Sequence, residues 1–506
     1  MVSTTVVSAP GKVLLAGGYL VLDPAYSGVV VSTSSRFYTV VQDSGLAQDV
    51  GRPIQIRVRS PQFVDATWTY TVNVDRESVR VDPIAKNHSK NKFVHLALER
   101  TLALALELKG LQALQENLSN DLAITIVGDN DFYSQRAQLA SRNLPPTLES
   151  LSKLPSFLPT GVVISEVHKT GLGSSAALIT SLVSSLLLHL NVIPSDSFST
   201  QGGSESASEG RLLAHNLAQY VHCLAQGKVG SGFDVSAAVF GSQLYTRFEP
   251  AVLQPLMSGQ VPPGSLHKVL TPSNSAWNFK AEPFQLPPYV RLMLADVDAG
   301  SDTPSLVGKV LKWRQENSAA SKKTWDTIDG HNQKLSKTLL SLSQLGSSHP
   351  GPYQKMIKYL STLQSVQWLS NPSLPSEEQT IVEAFSRARQ AAEDIRNNMR
   401  EMGNLSGVPI EPPEQTELLD ACTSVAGVIG GGVPGAGGYD AIWLLVFDPA
   451  DCPIEELPST RVQGVWSSWK GLDVSPLLAS ESKEKGARVE DLNAIPGLQD
   501  AVNGSS

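Results

Sequence analysis

At 506 residues, 41% of them hydrophobic and 17% charged, the chain is long enough for two or three domains with their own cores and too apolar for general disorder. Its formal net charge of −8, with no long run of like charges, argues against a nucleic-acid partner held by a basic face. It leaves room for an anionic small molecule, which needs only a few cations and backbone N–H groups. Three cysteines, Cys223, Cys422 and Cys452, lie far apart without a C-x-x-C pair, which excludes a disulfide framework or a sulfur-rich metal site and fits a reduced compartment.

In chain order, "TTVVSA" is followed by Pro10-Gly11, then "KVLLAGGYLVL" and, after a turn, "SGVVVSTSSRFYTVV". β-branched residues dominate these runs and predict strand, tight turn, strand. Short alternating stretches at 54–60 and 67–74 continue the pattern; "FVHLALERTLALALEL" (93–108) changes to helical spacing, and "LAITIVG" returns to strand. A further strand is expected at 159–167 ("PTGVVISEV"). Next comes a helix whose apolar residues Ile179, Leu182, Val183, Leu186, Leu187 and Leu190 share one face, ended by Pro194. A helix at about 207–225 leads into "GKVGSGFDVSAAVFGSQLYTRF", where a Gly/Ser loop meets a short helix and a strand. Residues 250–288, rich in Pro, Ser and Gly, read as a connection. The strand "VRLMLADV" (290–297) opens a second half that is mostly helical to about 429, before "GVIGGGVPGAGGYDAIWLLVF" gives a glycine-rich loop and a strand.

No charged n-region precedes the first apolar run, the apolar stretch Ala176–Leu190 is too short to span a membrane, and "AVNGSS" is not a peroxisomal address. The expectation is a cytoplasmic protein, monomer or homodimer, with neither a membrane nor a nucleic acid as partner.

Gly171-Leu-Gly-Ser-Ser-Ala176 precedes the apolar helix and matches the dinucleotide fingerprint G-x-G-x-x-A. That reading requires a second strand with an acid near its end. Here Pro194 and a Ser-rich stretch follow instead. A Walker A loop carries its lysine after the glycines, whereas Lys169 stands before them. What remains is an anion site at a helix N-terminus, where glycines admit a phosphate to unpaired N–H groups. In the alternative reading, Ser174 or Ser175 is simply an N-cap.

Four stretches together resemble the GHMP kinase superfamily: "SAPGKVLLAGGYLVL" (8–22), "KTGLGSSAA" (169–177), "GKVGSGFDVSAAVFGS" (227–242) and "GGVPGAGGYDA" (431–441). Within it, "AGSDTPSLVGKVLKW" (299–313) and "GVPIEPPEQTELLDAC" (407–422) are similar to phosphomevalonate kinases of the eukaryotic type. The resemblance implies an α+β, two-lobed fold: a mixed-sheet N-terminal ATP-binding domain (1–250), a connection (251–288), a ferredoxin-like α/β-sandwich C-terminal domain (289–480) and a loose tail (481–506). It also implies an ATP- and Mg²⁺-dependent kinase of isoprenoid and sterol precursor synthesis. Mevalonate kinase, another small-molecule member, or a non-catalytic ligand-binding member are the rival readings.

By the same resemblance, Lys12 and Asp234 are the catalytic pair, each favouring the other's charged form. Lys169, Gly171, Leu172, Gly173, Ser174, Ser175 and Ala176 would hold ATP. Ser175 and Asp234 would face the metal. Lys12, Tyr19, Ser231, Gly435, Ala436, Gly437 and Gly438 would hold the acceptor. Further candidate cations are Lys228 and the cluster Lys86, Lys90 and Lys92, for which a solvated loop is the alternative. Ser301 and Thr303 either cap a helix or touch substrate. Two departures stand out. Gly17-Gly18-Tyr19 replaces the Gly-Glu of many members, and the stretch His222–Gln226 lacks the metal-binding glutamate that some members place before the aspartate segment.

Overall fold

The computed structural model describes residues 3–47, 53–84, 91–199, 204–258, 261–297 and 303–504; Lys86, Lys90 and Ser301 lie outside them. The N-terminal lobe is built on a mixed sheet. Its strands are β1 (Thr4–Ala16), β2 (Ser27–Ala47), β3 (Ile54–Arg59), β4 (Thr67–Val74), β5 (Val79–Pro83), β6 (Asn120–Gly128), β7 (Gln243–Thr246), β8 (Lys280–Pro283) and, from the far end of the chain, β13 (Arg488–Val489). The order is β13-β1-β2-β6-β3-β4-β5, with β7 also on β2 and β8 on β7; among the described residues only β3 and β6 pair in parallel. β1 runs through Pro10-Gly11 rather than turning there. Proline cannot donate to a ladder, and the register shifts between Pro10 and Lys12. The turn of the predicted strand pair comes at 17–26 instead.

Helices α1 (Lys92–Asn117), α2 (Ser174–His189), α3 (Glu205–Gln226) and α4 (Phe233–Phe240) pack in this lobe. α2 lies against β1 and β2 on one side and α1 and α3 on the others. It is therefore buried nearly all round, from Ala176 to Leu187, and more fully than the single apolar stripe predicts.

The C-terminal lobe carries β9 (Val290–Asp296), β10 (Val428–Gly432), β11 (Ala441–Phe447) and β12 (Ser475–Leu477) in the order β10-β11-β9-β12, all antiparallel. Between β9 and β10 lie α5 (Thr303–Glu316), α6 (Ser318–Ser348), α7 (Pro350–Ser361), α8 (Ser376–Ser406) and α9 (Pro413–Thr423), and α10 (Pro458–Ser468) joins β11 to β12. Reading the insertion as one crossover gives β-α-β-β-α-β with strand order 4-1-3-2, the ferredoxin-like arrangement expected from the resemblance. The lobes share a continuous apolar core and are tied by polar contacts, among them the Arg136–Asp296 ion pair and Gln333 Nε2 donating to Ser27 Oγ at 2.7 Å.

Three expectations are corrected. Residues 159–167 form no ladder; Ile164 and Val167 instead cover a cavity beside α2, so their apolar character serves packing. Residues 251–288 are not a mere connection, because β8 extends the N-terminal sheet and Leu253, Leu256, Leu266 and Leu270 are buried. The segment 481–504 is not loose. β13 pairs with β1, Arg36 bonds the Gly486 carbonyl at 2.7 Å, and Leu498 of α11 (Leu498–Asn503) is buried under β6. Its polar composition conceals a few apolar anchors that only the opposing sheet reveals.

Candidate active site

Gly171 and Gly173 both have left-handed backbones, at φ 78° and 80°, a conformation that costs other residues about 1–2 kcal/mol. Gly173 is the N-cap of α2 and no side chain caps it. The N–H groups of Ser174, Ser175 and Ala176 therefore head the helix without intrahelical acceptors, at the positive end of its dipole. Neither serine performs the capping role of the alternative reading. The loop is held from behind. Lys12 N donates to Leu172 O at 2.9 Å, and a side chain at Gly11 would collide with that same carbonyl. Thr170 Oγ1 donates to the Asp131 carbonyl. Asp131 in turn accepts from Ser35 Oγ at 2.7 Å and from Leu478 N at 2.8 Å. Strand β1 and the C-terminal segment thus both brace the loop.

The shift in register at Pro10–Lys12 aims the Lys12 side chain along the loop. Its Nζ donates to Gly171 O at 2.9 Å and lies 5.5 Å from the centre of the Phe233 ring, while its stem lies against Gly173. Burial lowers the Lys12 pKa, and the charges of Asp234 and Asp440 raise it by less. The support that Asp234 was expected to give the charged form of Lys12 is present but is outweighed by desolvation. Asp440, in the third motif, is a neighbour the sequence reading did not single out.

Asp234 stands in the first turn of α4, behind Gly232 at φ 83°. Its side chain keeps 21% exposure and lies 3.7 Å from His222 Nε2, and its Oδ1 accepts from Val235 N at 3.0 Å. His222 Nε2 is also 3.1 Å from Ser175 Oγ. Through His222 the structure brings Ser175 and Asp234 together from two separate helices. The 227–232 loop is fixed by Arg247, which donates to the carbonyls of Val229 (2.8 Å), Gly230 (2.6 Å) and Leu22. Ser231 is held through its own carbonyl, which accepts from Tyr245 OH at 2.8 Å. Lys228 and Lys169 are exposed.

The third-motif loop faces the first motif. Tyr19, at φ 64°, donates from its hydroxyl to Ala436 O at 2.7 Å, and burial raises its pKa. A side chain at Gly18 would overlap the Gly435 carbonyl, and one at Gly437 the Ile410 carbonyl. The missing glutamate of the first motif thus has a steric cause. Gly438 N donates to Ile410 O at 2.8 Å and Gln415 Nε2 to Gly438 O at 3.1 Å, so the 407–422 segment sets the shape of this loop.

A cavity lined by Phe63, Trp68, Phe93 and Tyr133 opens beside Lys169, Ser174 and Ser175. With Phe37, its aromatics come from four separated stretches, which is why no sequence motif announced it. Hydroxyl and carboxylate oxygens at Ser175 and Asp234 suit a hard cation such as Mg²⁺, which takes few protein ligands beside phosphate and water. Among the described residues no group of three or more His, Cys, Asp or Glu could hold a metal ion.

A model of the GHMP kinase C-terminal domain matches residues 381–451. The chain is 38% identical over 498 residues to the peroxisomal phosphomevalonate kinase of Arabidopsis thaliana, covering 92% of each. It is 37% identical over 499 residues to a phosphomevalonate kinase of Aspergillus fumigatus, covering 92% of this chain and 91% of the relative. The chain belongs to the phosphomevalonate kinase family.

Solved structures agree on the fold. A Lin0012 protein from Listeria innocua superimposes with TM-score 0.61 at 14% identity, over 97% of this chain and 100% of that one. A Streptococcus pneumoniae phosphomevalonate kinase in complex with phosphomevalonate and AMPPNP does so with TM-score 0.55 at 15% identity, over 95% and 99%. Of the site residues expected from the sequence, Lys12 meets Gly171, Ser175 and Asp234 meet through His222, and Tyr19 meets Ala436. No described helix is long and apolar enough to cross a membrane.

Proposed function

We propose that the protein transfers the γ-phosphoryl group of ATP to the phosphate of (R)-5-phosphomevalonate, yielding (R)-5-diphosphomevalonate and ADP, in the mevalonate pathway of isoprenoid and sterol synthesis. The observation that carries this reading is Lys12: a half-buried cation hydrogen-bonded to the phosphate loop at Gly171 and sensed by Asp234 and Asp440. The free N–H groups of Ser174–Ala176 bind the donor phosphates, and the adenine enters the cavity of Trp68 and Phe93. Ser175 and Asp234 would hold Mg²⁺, which when bound neutralises phosphate charge. The acceptor lies against Tyr19, Ser231 and the Gly435–Gly438 loop.

The acceptor decides what Asp234 must do. A mevalonate hydroxyl would need a general base. A phosphate monoester does not, because its second pKa is about 6 and the attacking oxygen is already anionic near neutrality. That oxygen attacks the γ-phosphorus, the bond from the γ-phosphorus to the β,γ-bridging oxygen breaks, and ADP departs. The barrier is then dominated by repulsion between anions, so a cation between them contributes most. Burial lowers the Lys12 pKa, and two flanking phosphates would favour its charged form. Asp234 positions Lys12 and the cation.

The test is ADP release from ATP with phosphomevalonate or mevalonate as acceptor. Turnover with phosphomevalonate is expected; turnover only with mevalonate would overturn the acceptor assignment, and binding without turnover would indicate a sensor. The three free cysteines support a cytoplasmic location, which fractionation of tagged protein checks against the peroxisomal placement in the Arabidopsis relative's name.

A further inference from the structure

Two histidines on α3 make an instructive pair. His215 is a core residue: wholly buried, bonded to Asn216 at 2.9 Å and surrounded by Phe240, Trp277 and Phe279. Two turns further on, His222 is almost as buried, at 4% exposure, but is surrounded differently. Its Nε2 faces the Ser175 hydroxyl at 3.1 Å, the Gln226 amide at 3.1 Å and the Asp234 carboxylate at 3.7 Å. Its ring lies 6.4 Å from Phe93, a wall of the aromatic cavity. A single imidazole nitrogen therefore joins the N-termini of α2 and α4 at the two side chains proposed to face the cation. Packing needs a ring here, not a nitrogen among three polar partners.

We infer that His222 is a positioning residue for phosphoryl transfer, holding the Ser175 hydroxyl beside the Asp234 carboxylate on the cation side of the nucleotide site. The inference rests on the reading given under Proposed function. A hydroxyl that ligates a cation must point its lone pairs at it, so its proton needs another acceptor. In the tautomer with the proton on Nδ1, His222 Nε2 accepts the Ser175 O–H and leaves the Ser175 oxygen free toward the cleft. The imidazole thus stands between two oxygen ligands where a second carboxylate would otherwise add a negative charge. A shell with one carboxylate fewer suits a reaction in which both donor and acceptor are anions.

The test compares His222→Leu and His222→Gln with the unaltered enzyme. Removal of a group supporting metal ligands typically costs about 10–100-fold in metal affinity or activity. His222→Leu should weaken binding of Mn²⁺ with a non-hydrolysable ATP analogue by that factor, read by electron paramagnetic resonance, and lower kcat similarly. KM for phosphomevalonate should change less than about twofold. Glutamine places a polar atom near the Nε2 position, so His222→Gln should recover most of the Mn²⁺ affinity, and it tests the inference even if the leucine variant folds poorly. Unchanged Mn²⁺ affinity in folded His222→Leu, or a glutamine variant no better than a folded leucine one, would overturn the inference. Absence of phosphomevalonate turnover in the unaltered enzyme would instead overturn the proposed function, because the Mn²⁺ measurement needs no acceptor.

Discussion

The two glycine loops of the cleft use the same residue for opposite purposes. At Gly171 a side chain would meet nothing within 4 Å; glycine is required only because φ is positive, and the reward is a row of free N–H groups at the head of α2. At Gly437 a side chain would run into the Ile410 carbonyl; glycine is required because another segment packs there. The first loop is open and leaves the head of α2 without a side-chain cap. The second is crowded, pinned by Tyr19, Ile410 and Gln415, and acts as a wall. A glycine-rich sequence therefore does not distinguish a binding surface from a packing contact, whereas the atoms opposite each Cβ position do.

Four measurements sharpen or break this comparison. The largest effect is expected where the open loop meets its cation. Lys12→Met should lower kcat by about 10³-fold or more, with Asp234→Asn costing at least tenfold less. Comparable losses would remove the case for Lys12 as the bridging charge. Because burial depresses the Lys12 pKa, charged Lys12 costs stability below its folded pKa, and the cost fades as pH rises toward the unfolded value. Lys12→Met should accordingly raise Tm of the ligand-free enzyme at neutral pH, an activity–stability trade-off.

Next come the glycines themselves. Gly437→Ala combines overpacking with a strained backbone and should cost roughly 3–4 kcal/mol in denaturant unfolding. Gly171→Ala carries the backbone penalty alone, about 1–2 kcal/mol, yet should raise KM for ATP more than Gly437→Ala does. Equal destabilisation would erase the distinction between open and crowded loops. Tyr19→Phe removes one hydrogen bond to the wall, a loss of about 1 kcal/mol. Kinetics should show KM rising several-fold for the acceptor and unchanged for ATP.

The smallest effect concerns Asp129, two residues before the Asp131 that braces the open loop. Burial raises the Asp129 pKa to about 7, against the hydrogen bond from Arg36 N. The folded state then holds this proton more tightly than the unfolded state, so the contribution of Asp129 to stability falls as pH rises from about 4 to 7 and stays low above. Asp129→Asn, which keeps an acceptor, should raise Tm modestly at pH 8 and not at pH 4. A pH-independent change would mean the carboxyl is not held protonated.

Several of the contacts among the candidate site residues were foreshadowed in the sequence. Lys12, the glycines of 171–173, Ser175 and Asp234 stood in motifs whose order pointed to one cleft, because a phosphate loop is a local device made by consecutive residues. The β-branched runs of the first 40 residues did become β1 and β2. The strand expected at 159–167 failed, since an apolar β-branched run fits a cavity wall as well as a ladder. The tail failed in the opposite sense: Leu498 and Arg488 look unremarkable in a polar stretch until β6 and β1 lie opposite them.

The sequence by itself therefore determined the elements whose causes are local: the helix with its glycine-led N-terminus and the β-branched runs that form β1 and β2. Tertiary structure alone decided what depends on distant segments meeting. His222 acquires a role only because α2 and α4 converge on one nitrogen of α3. Gly18 is glycine because residue 435 arrives from the other lobe. Lys12 has its depressed pKa because desolvation, a property of the assembled cleft, outweighs the two carboxylates that face it.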